Sequence, residues 1–146
     1  MKGKINGLKI ISLIAVLTLF GFNLYQGAKV KEYKDALTME VHQNLQKFAS
    51  TSGSDYSDSL IYVEAYAAIE SAFNAFVIVS EVKGYTDEEY NKSLPKLLLT
   101  LKTLMLNDKG KVVAAFKDTD GGRLIFKISD DFNDKESISK MLELLK

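Results

Sequence analysis

The run IISLIAVLTLFGFNLYQGAKVKEYKDALTMEVHQNLQKF, residues 10–48, decides how this chain is built. Its first nineteen residues, Ile10 to Ala28, carry no charge. At about 1.5 Å per residue they make roughly 28 Å of helix, close to the hydrocarbon thickness of a bilayer. Tyr25 falls where an interfacial aromatic sits, and Lys9 can snorkel at the other end. After Ala28 the pattern changes. Val30, Tyr33, Leu37, Val41, Leu45 and Phe48 recur every three or four residues, a single helical stripe. Lys31, Lys34, Asp35, Glu40, Gln43, Asn44 and Lys47 fill the solvated face, and neither Gly nor Pro interrupts Ala28 to Ser52. The sequence thus predicts a transmembrane helix that runs on into an amphipathic one.

The organisation that follows is a short basic tail at 1–9 with Lys2, Lys4 and Lys9, a transmembrane signal-anchor helix at 10–28, and a helical domain at 29–146. A basic start followed by an apolar run also fits a cleaved signal peptide, which would release the domain. Cleavage requires small residues at −3 and −1, and a cut after Ala28 or Gly27 puts Gln26 or Tyr25 at −3. The flanks therefore favour an uncleaved, single-pass anchor in the cell membrane over secretion. Three lysines before the span and Lys29, Lys31 and Lys34 after it nearly balance. The short tail with its α-amine tips the expectation toward N-inside, with the C-terminal domain extracytoplasmic. The first fifty residues resemble type IV pilins in layout. The pilin motif needs a glutamate early in the mature chain, and no acidic residue precedes Glu32, so the resemblance ends there.

Composition narrows function by exclusion. The 146 residues hold 19 basic and 19 acidic groups, so no global field recruits nucleic acid or anionic lipid. Arg123 is the one arginine among 18 lysines, a bias that codon supply in an AT-rich bacterial genome produces. Bidentate phosphate and base recognition favours Arg, so a nucleic-acid partner is not expected. Cysteine is absent, which removes disulfides, thiolate metal sites and cysteine nucleophiles together.

The rest of the chain reads as mainly α, a small antiparallel bundle. Ser50 to Ser59 is a loop by composition, with Ser57 or Asp58 as the next helix cap. Ser59 to Lys83 is strongly apolar, but Glu64 and Glu70 would each cost about 2.5–3.5 kcal/mol inside a bilayer. A core helix is expected there, stopped by Gly84. Thr86 and Glu89 form a capping box, with Tyr85 and Tyr90 as its hydrophobic staple. Leu94, Leu97, Leu98, Leu101, Leu104 and Met105 continue that helix, and Pro95 calls for a kink or restart near Ser93. Asn107 to Gly110 ends it.

Residues 111–129 fit either short helices or one β-hairpin about Asp118-Thr119-Asp120-Gly121-Gly122. The alanines and the lack of a third strand favour helices. Asn133 and Glu136 suggest a second capping box, before a stripe of Ile138, Met141, Leu142 and Leu145. Residues 50–90 hold eight acidic groups and one lysine, whereas 91–129 hold eight basic and three acidic. Antiparallel neighbours pairing across their rims explain that division.

No catalytic, cofactor or metal residue emerges. His42 is the single histidine, among polar neighbours, and lacks the partners that a metal or acid–base site needs. Asp118 and Asp120 hint at a calcium loop, yet Gly122, Arg123 and Ser129 stand at the fifth, sixth and twelfth places. Glu64 and Glu70 fall nearly opposite on a helix and form no dyad. The expectation is a non-enzymatic, membrane-anchored helical interaction module of a bacterial cell-envelope complex. Its partners are the bilayer through 10–28 and a protein or second copy through Val30, Tyr33, Leu37, Val41, Leu45 and Phe48. The alternative is a ligand sensor or carrier with an apolar pocket between helices.

Overall fold

The computed structural model describes residues 2–54, 56–80 and 86–146, with side chains from Leu13 onward. Among them are seven helices and no strand. α1 spans Lys2–Thr51, α2 Ser59–Val79, α3 Asp87–Asn91, α4 Leu94–Asn107, α5 Lys109–Phe116, α6 Gly121–Asp130 and α7 Lys135–Leu144. Two compact units emerge, Met1–Ala36 and Leu37–Lys146. The first consists of α1 alone; the second takes the last part of α1 together with α2 to α7.

In the second unit the α1 stripe turns inward. Val41, Leu45 and Phe48 are fully buried, and Leu37 packs at the margin of the same core. Phe48 meets Phe116 of α5 edge to face, with ring centroids 5.4 Å apart. Burying a side chain of this size contributes about 1.5–3 kcal/mol. The stripe is therefore a main wall of the core.

The bundle is antiparallel, and named contacts show it. Tyr62 near the start of α2 donates its hydroxyl to the Met105 carbonyl near the end of α4, 2.9 Å away. Further along α2, Glu70 accepts from Lys102 at 3.0 Å, one turn back on α4. α1 and α6 also run opposite ways, since His42 faces Ser129 while Ala49 approaches Gly122. The α2–α4 contact is the rim pairing that the uneven charge distribution implies. α2 also buries Ala65, Ala68, Ala72 and Ala75 in the bundle, small residues that let neighbouring backbones come close.

Local chemistry sets most boundaries. Asp58 caps α2 by accepting from the Leu60 N–H at 2.8 Å. At α3 the capping box is complete: the Glu89 N–H donates to Thr86 Oγ1 and the Thr86 N–H donates to Glu89 Oε2. Tyr85, the other half of the staple, and Gly84 lie outside the described residues. α2 has already ended at Val79, where the Ser80 N–H donates back to Phe76. The expected break at Ser93 is present. α3 stops at Asn91, Ser93 stands at the N-cap position of α4 with its hydroxyl donated back to the Tyr90 carbonyl, and Pro95 occupies the first turn of α4, where its missing N–H forfeits no helix bond.

Residues 111–129 adopt helices, and the hairpin alternative is not supported. Val112, Ala115 and Phe116 on α5, and Leu124, Ile125 and Ile128 on α6, each share one helix face and bury it. The turn between them uses Asp118 in the left-handed region at φ 59°, a conformation that Asp tolerates better than most residues. Gly121 then packs so tightly that a Cβ there would lie 2.1 Å from the Ala115 carbonyl oxygen. One expected cap is displaced. Asp134, not Asn133, begins α7, accepting from both the Ser137 N–H (2.9 Å) and the Ser137 hydroxyl (2.6 Å). Glu136 is consequently one position too early to close a box, and pairs with Lys140 instead. The buried stripe of α7 is as expected, with Ile138, Met141 and Leu145 enclosed.

Candidate membrane anchor and interaction surfaces

Leu13, Ile14, Val16 and Leu19 point to different sides of α1, yet each is 59–62% exposed. A helix that is apolar all round, with its apolar window unburied among the described residues, suits a lipid environment better than water. Its polar side chains fit the same setting. Thr18 donates its hydroxyl to the Ile14 carbonyl, and Asn23 donates its amide to the Leu19 carbonyl, both at 2.9 Å. Each side chain thus makes a bond within the helix, a pairing that lipid would favour. Charge returns at Lys29, which bonds Glu32 at 2.7 Å.

Two helices are long and apolar enough to cross a membrane by length and composition, one in α1 near the N-terminus and the other α2. They differ in surroundings. The apolar window of α1 is uncovered, whereas a third of the α2 window, 33%, is buried against the bundle. α2 also keeps its two carboxylates, one of them bonded to Lys102.

The stripe from Val30 to Phe48 divides at the boundary between units. Val30 and Tyr33 are 53% and 69% exposed within the first unit, while Val41, Leu45 and Phe48 serve the core of the second. Of the expected partner face, only its first part is available to another molecule.

The polar candidates sort themselves by their bonds. His42 is half-buried rather than freely solvated. Its Nδ1 lies 2.8 Å from the Ser129 carbonyl at the end of α6, and the Asp130 carboxylate is 3.9 Å away. A carbonyl can only accept, so Nδ1 carries the hydrogen, and the ring ties α1 to α6. No spacing rule in the sequence links residues so far apart. Asp120 holds Arg123 through two bonds, at 2.6 and 3.2 Å, which lowers the aspartate pKa and removes that carboxylate from any calcium loop. Glu64 is exposed and Glu70 is committed to Lys102. No group of three His, Cys, Asp or Glu residues among the described residues could hold a metal ion.

Two surface grooves lie among the described residues. One, about 460 Å³, lies between α4 and α7 and is edged by Lys92, Lys96, Thr100 and Glu143. The other, about 440 Å³, lies between α6 and α7 and is edged by Arg123, Lys127, Asp134 and Glu136. Both are rimmed by charges of both signs, and Lys92 is already paired with Glu88. Compared with known proteins, the chain matches no family model, and no curated protein or solved structure matches it either.

Proposed function

We propose that this chain is a membrane-anchored, non-enzymatic interaction module of a bacterial cell-envelope complex, spanning the bilayer once through residues 10–28. The observation that carries the reading is the uncovered apolar surface of α1, whose Thr18 and Asn23 donors are bonded within the helix. The anchor tethers a bundle whose histidine and carboxylates are largely engaged in links between and within helices. Partners then meet apolar surface, Val30 and Tyr33 among it. The alternative is a ligand sensor or carrier, for which the groove between α4 and α7 is the candidate, lined by Leu142 and Leu145 together with four charged residues.

The test is retention in membranes under alkaline wash. The full chain should stay with the bilayer, and Leu17→Arg, costing about 2.5–3.5 kcal/mol at mid-span, should weaken that retention. A phosphatase reporter fused after Lys146 should be active in a bacterial host if the bundle is extracytoplasmic. Complete release of the unaltered chain by the wash would refute the anchor.

A further inference from the structure

Leu60 and Ile78, 65% and 69% exposed, mark the two ends of a ridge on the outer side of α2. Val63, Ala67 and Asn74 continue it between them, all exposed. Their spacing keeps them within about one-sixth of a turn of a common line along the helix. On the opposite side, Ala68, Ile69, Ala72 and Ala75 are buried in the bundle. The ridge is thus a second apolar surface, separate from the anchor.

We propose that this ridge is a self-association surface, onto which a second copy of the chain docks its own α2 in antiparallel orientation. Charge selects both occupant and direction. α2 bears only two charged residues, Glu64 and Glu70, and Glu70 is bonded to Lys102. Glu64 makes no hydrogen bond or ion pair among the described residues, and the Asn74 side chain makes none either. Parallel pairing would set each Glu64 against its own copy, and like charges so placed repel. Antiparallel pairing centred at residue 69 separates the two Glu64 side chains by about 15 Å along the axis. It also sets Glu64 level with the partner's Asn74, so that a bare acceptor faces an amide donor. The same register puts Leu60 level with Ile78, and Ala67 level with Ser71. The apolar ends therefore cover one another, and small residues meet where the helices approach most closely, at about 8–10 Å between axes. A lipid surface fits less well, because the unpaired carboxylate would face anionic headgroups. The proposal rests on the anchored reading in one respect: tethering in a shared bilayer raises the effective concentration of copies.

The absence of cysteine makes the test direct. Full-length Glu64→Cys and Asn74→Cys chains, with tags of different size, are co-expressed, oxidised in membranes and run without reductant. Copies of one site lie about 15 Å apart, beyond the Cα reach of a disulfide, about 7 Å. The mixed dimer should exceed either homodimer by about tenfold or more, because only the mixed pair falls within that reach. A strong Asn74→Cys homodimer, formed with Glu64 intact, would mean parallel pairing and overturn the proposal. So would absence of the mixed dimer, whether Ile78→Cys is open to a water-soluble maleimide or shielded by lipid or another protein. Ala67→Lys places a charge at the crossing without touching the core, and should shift the detergent-solubilised chain toward the monomer mass; unchanged mass refutes the ridge. Alkaline extraction is scored on the same membranes. A chain that leaves the bilayer therefore refutes the anchor, and the disulfide pattern still decides the ridge.

Discussion

Two adjacent glycines at the start of α6 should respond to the same substitution with opposite signs. A Cβ on Gly121 would lie 2.1 Å from the Ala115 carbonyl oxygen and 3.0 Å from its carbon, both backbone atoms. Ordinary contact begins near 3.4 Å, so α6 would have to retreat from α5 by more than an ångström. That movement strains the turn, where Thr119 donates its hydroxyl to the Ala115 carbonyl and accepts from the Gly121 N–H at 3.1 Å. Overpacking of this kind costs about 1–3 kcal/mol, and disturbing the two bonds adds about 1 kcal/mol each. The helix preference of alanine returns up to about 1 kcal/mol. Gly121→Ala should therefore destabilise the bundle by about 2–4 kcal/mol. Gly122→Ala meets nothing nearer than the Ala49 carbonyl at 3.9 Å, and neither glycine has a positive φ. It should stabilise by up to about 1 kcal/mol through propensity and a stiffer unfolded chain. Urea unfolding in mild detergent, followed by near-UV circular dichroism of the seven tyrosines, would read both. Equal stability of Gly121→Ala and the unaltered chain would refute the close α5–α6 approach.

Two further outcomes follow from the caps. Thr86→Ala removes the acceptor of the Glu89 N–H and should cost about 1 kcal/mol in the same assay; no change would mean that α3 does not begin there. The second concerns pH. Bonds from the Ser137 hydroxyl and N–H hold Asp134 below its ordinary 3.8, and bonds from the Thr86 N–H and hydroxyl hold Glu89 below 4.5. Because these folded values are depressed, the stabilisation is present above the unfolded pKa and is lost as pH falls through the folded one. The unfolding midpoint should hold near neutrality and decline below about pH 4.5. Asp134→Asn keeps a capping oxygen but cannot titrate, so its acid decline should be shallower; an identical decline would exclude Asp134 as a contributor.

What the sequence determined alone is whatever depends on neighbours along the chain. The uncharged run from Ile10 to Ala28, the Thr86–Glu89 box, the restart at Pro95 and the helical faces of α4 and α7 all arise from residues within a turn or two of one another. One-residue choices sit at the edge of this reach. Asn133 and Asp134 are both good caps, and the choice falls to Asp134 because its carboxylate can hold the Ser137 N–H and hydroxyl together. Tertiary structure decided the rest, because burial depends on what lies opposite. The stripe from Val30 to Phe48 is uniform as a pattern, yet Phe48 is enclosed by Phe116 while Tyr33 is exposed. Likewise, period alone left 111–129 open between helices and a hairpin. Helices bury Val112, Phe116, Leu124 and Ile128 on faces that the bundle can cover, whereas a lone hairpin would need a sheet that the chain lacks. His42 was least legible of all, since its partner at Ser129 lies 87 residues away and only the packing of α1 on α6 brings the two together.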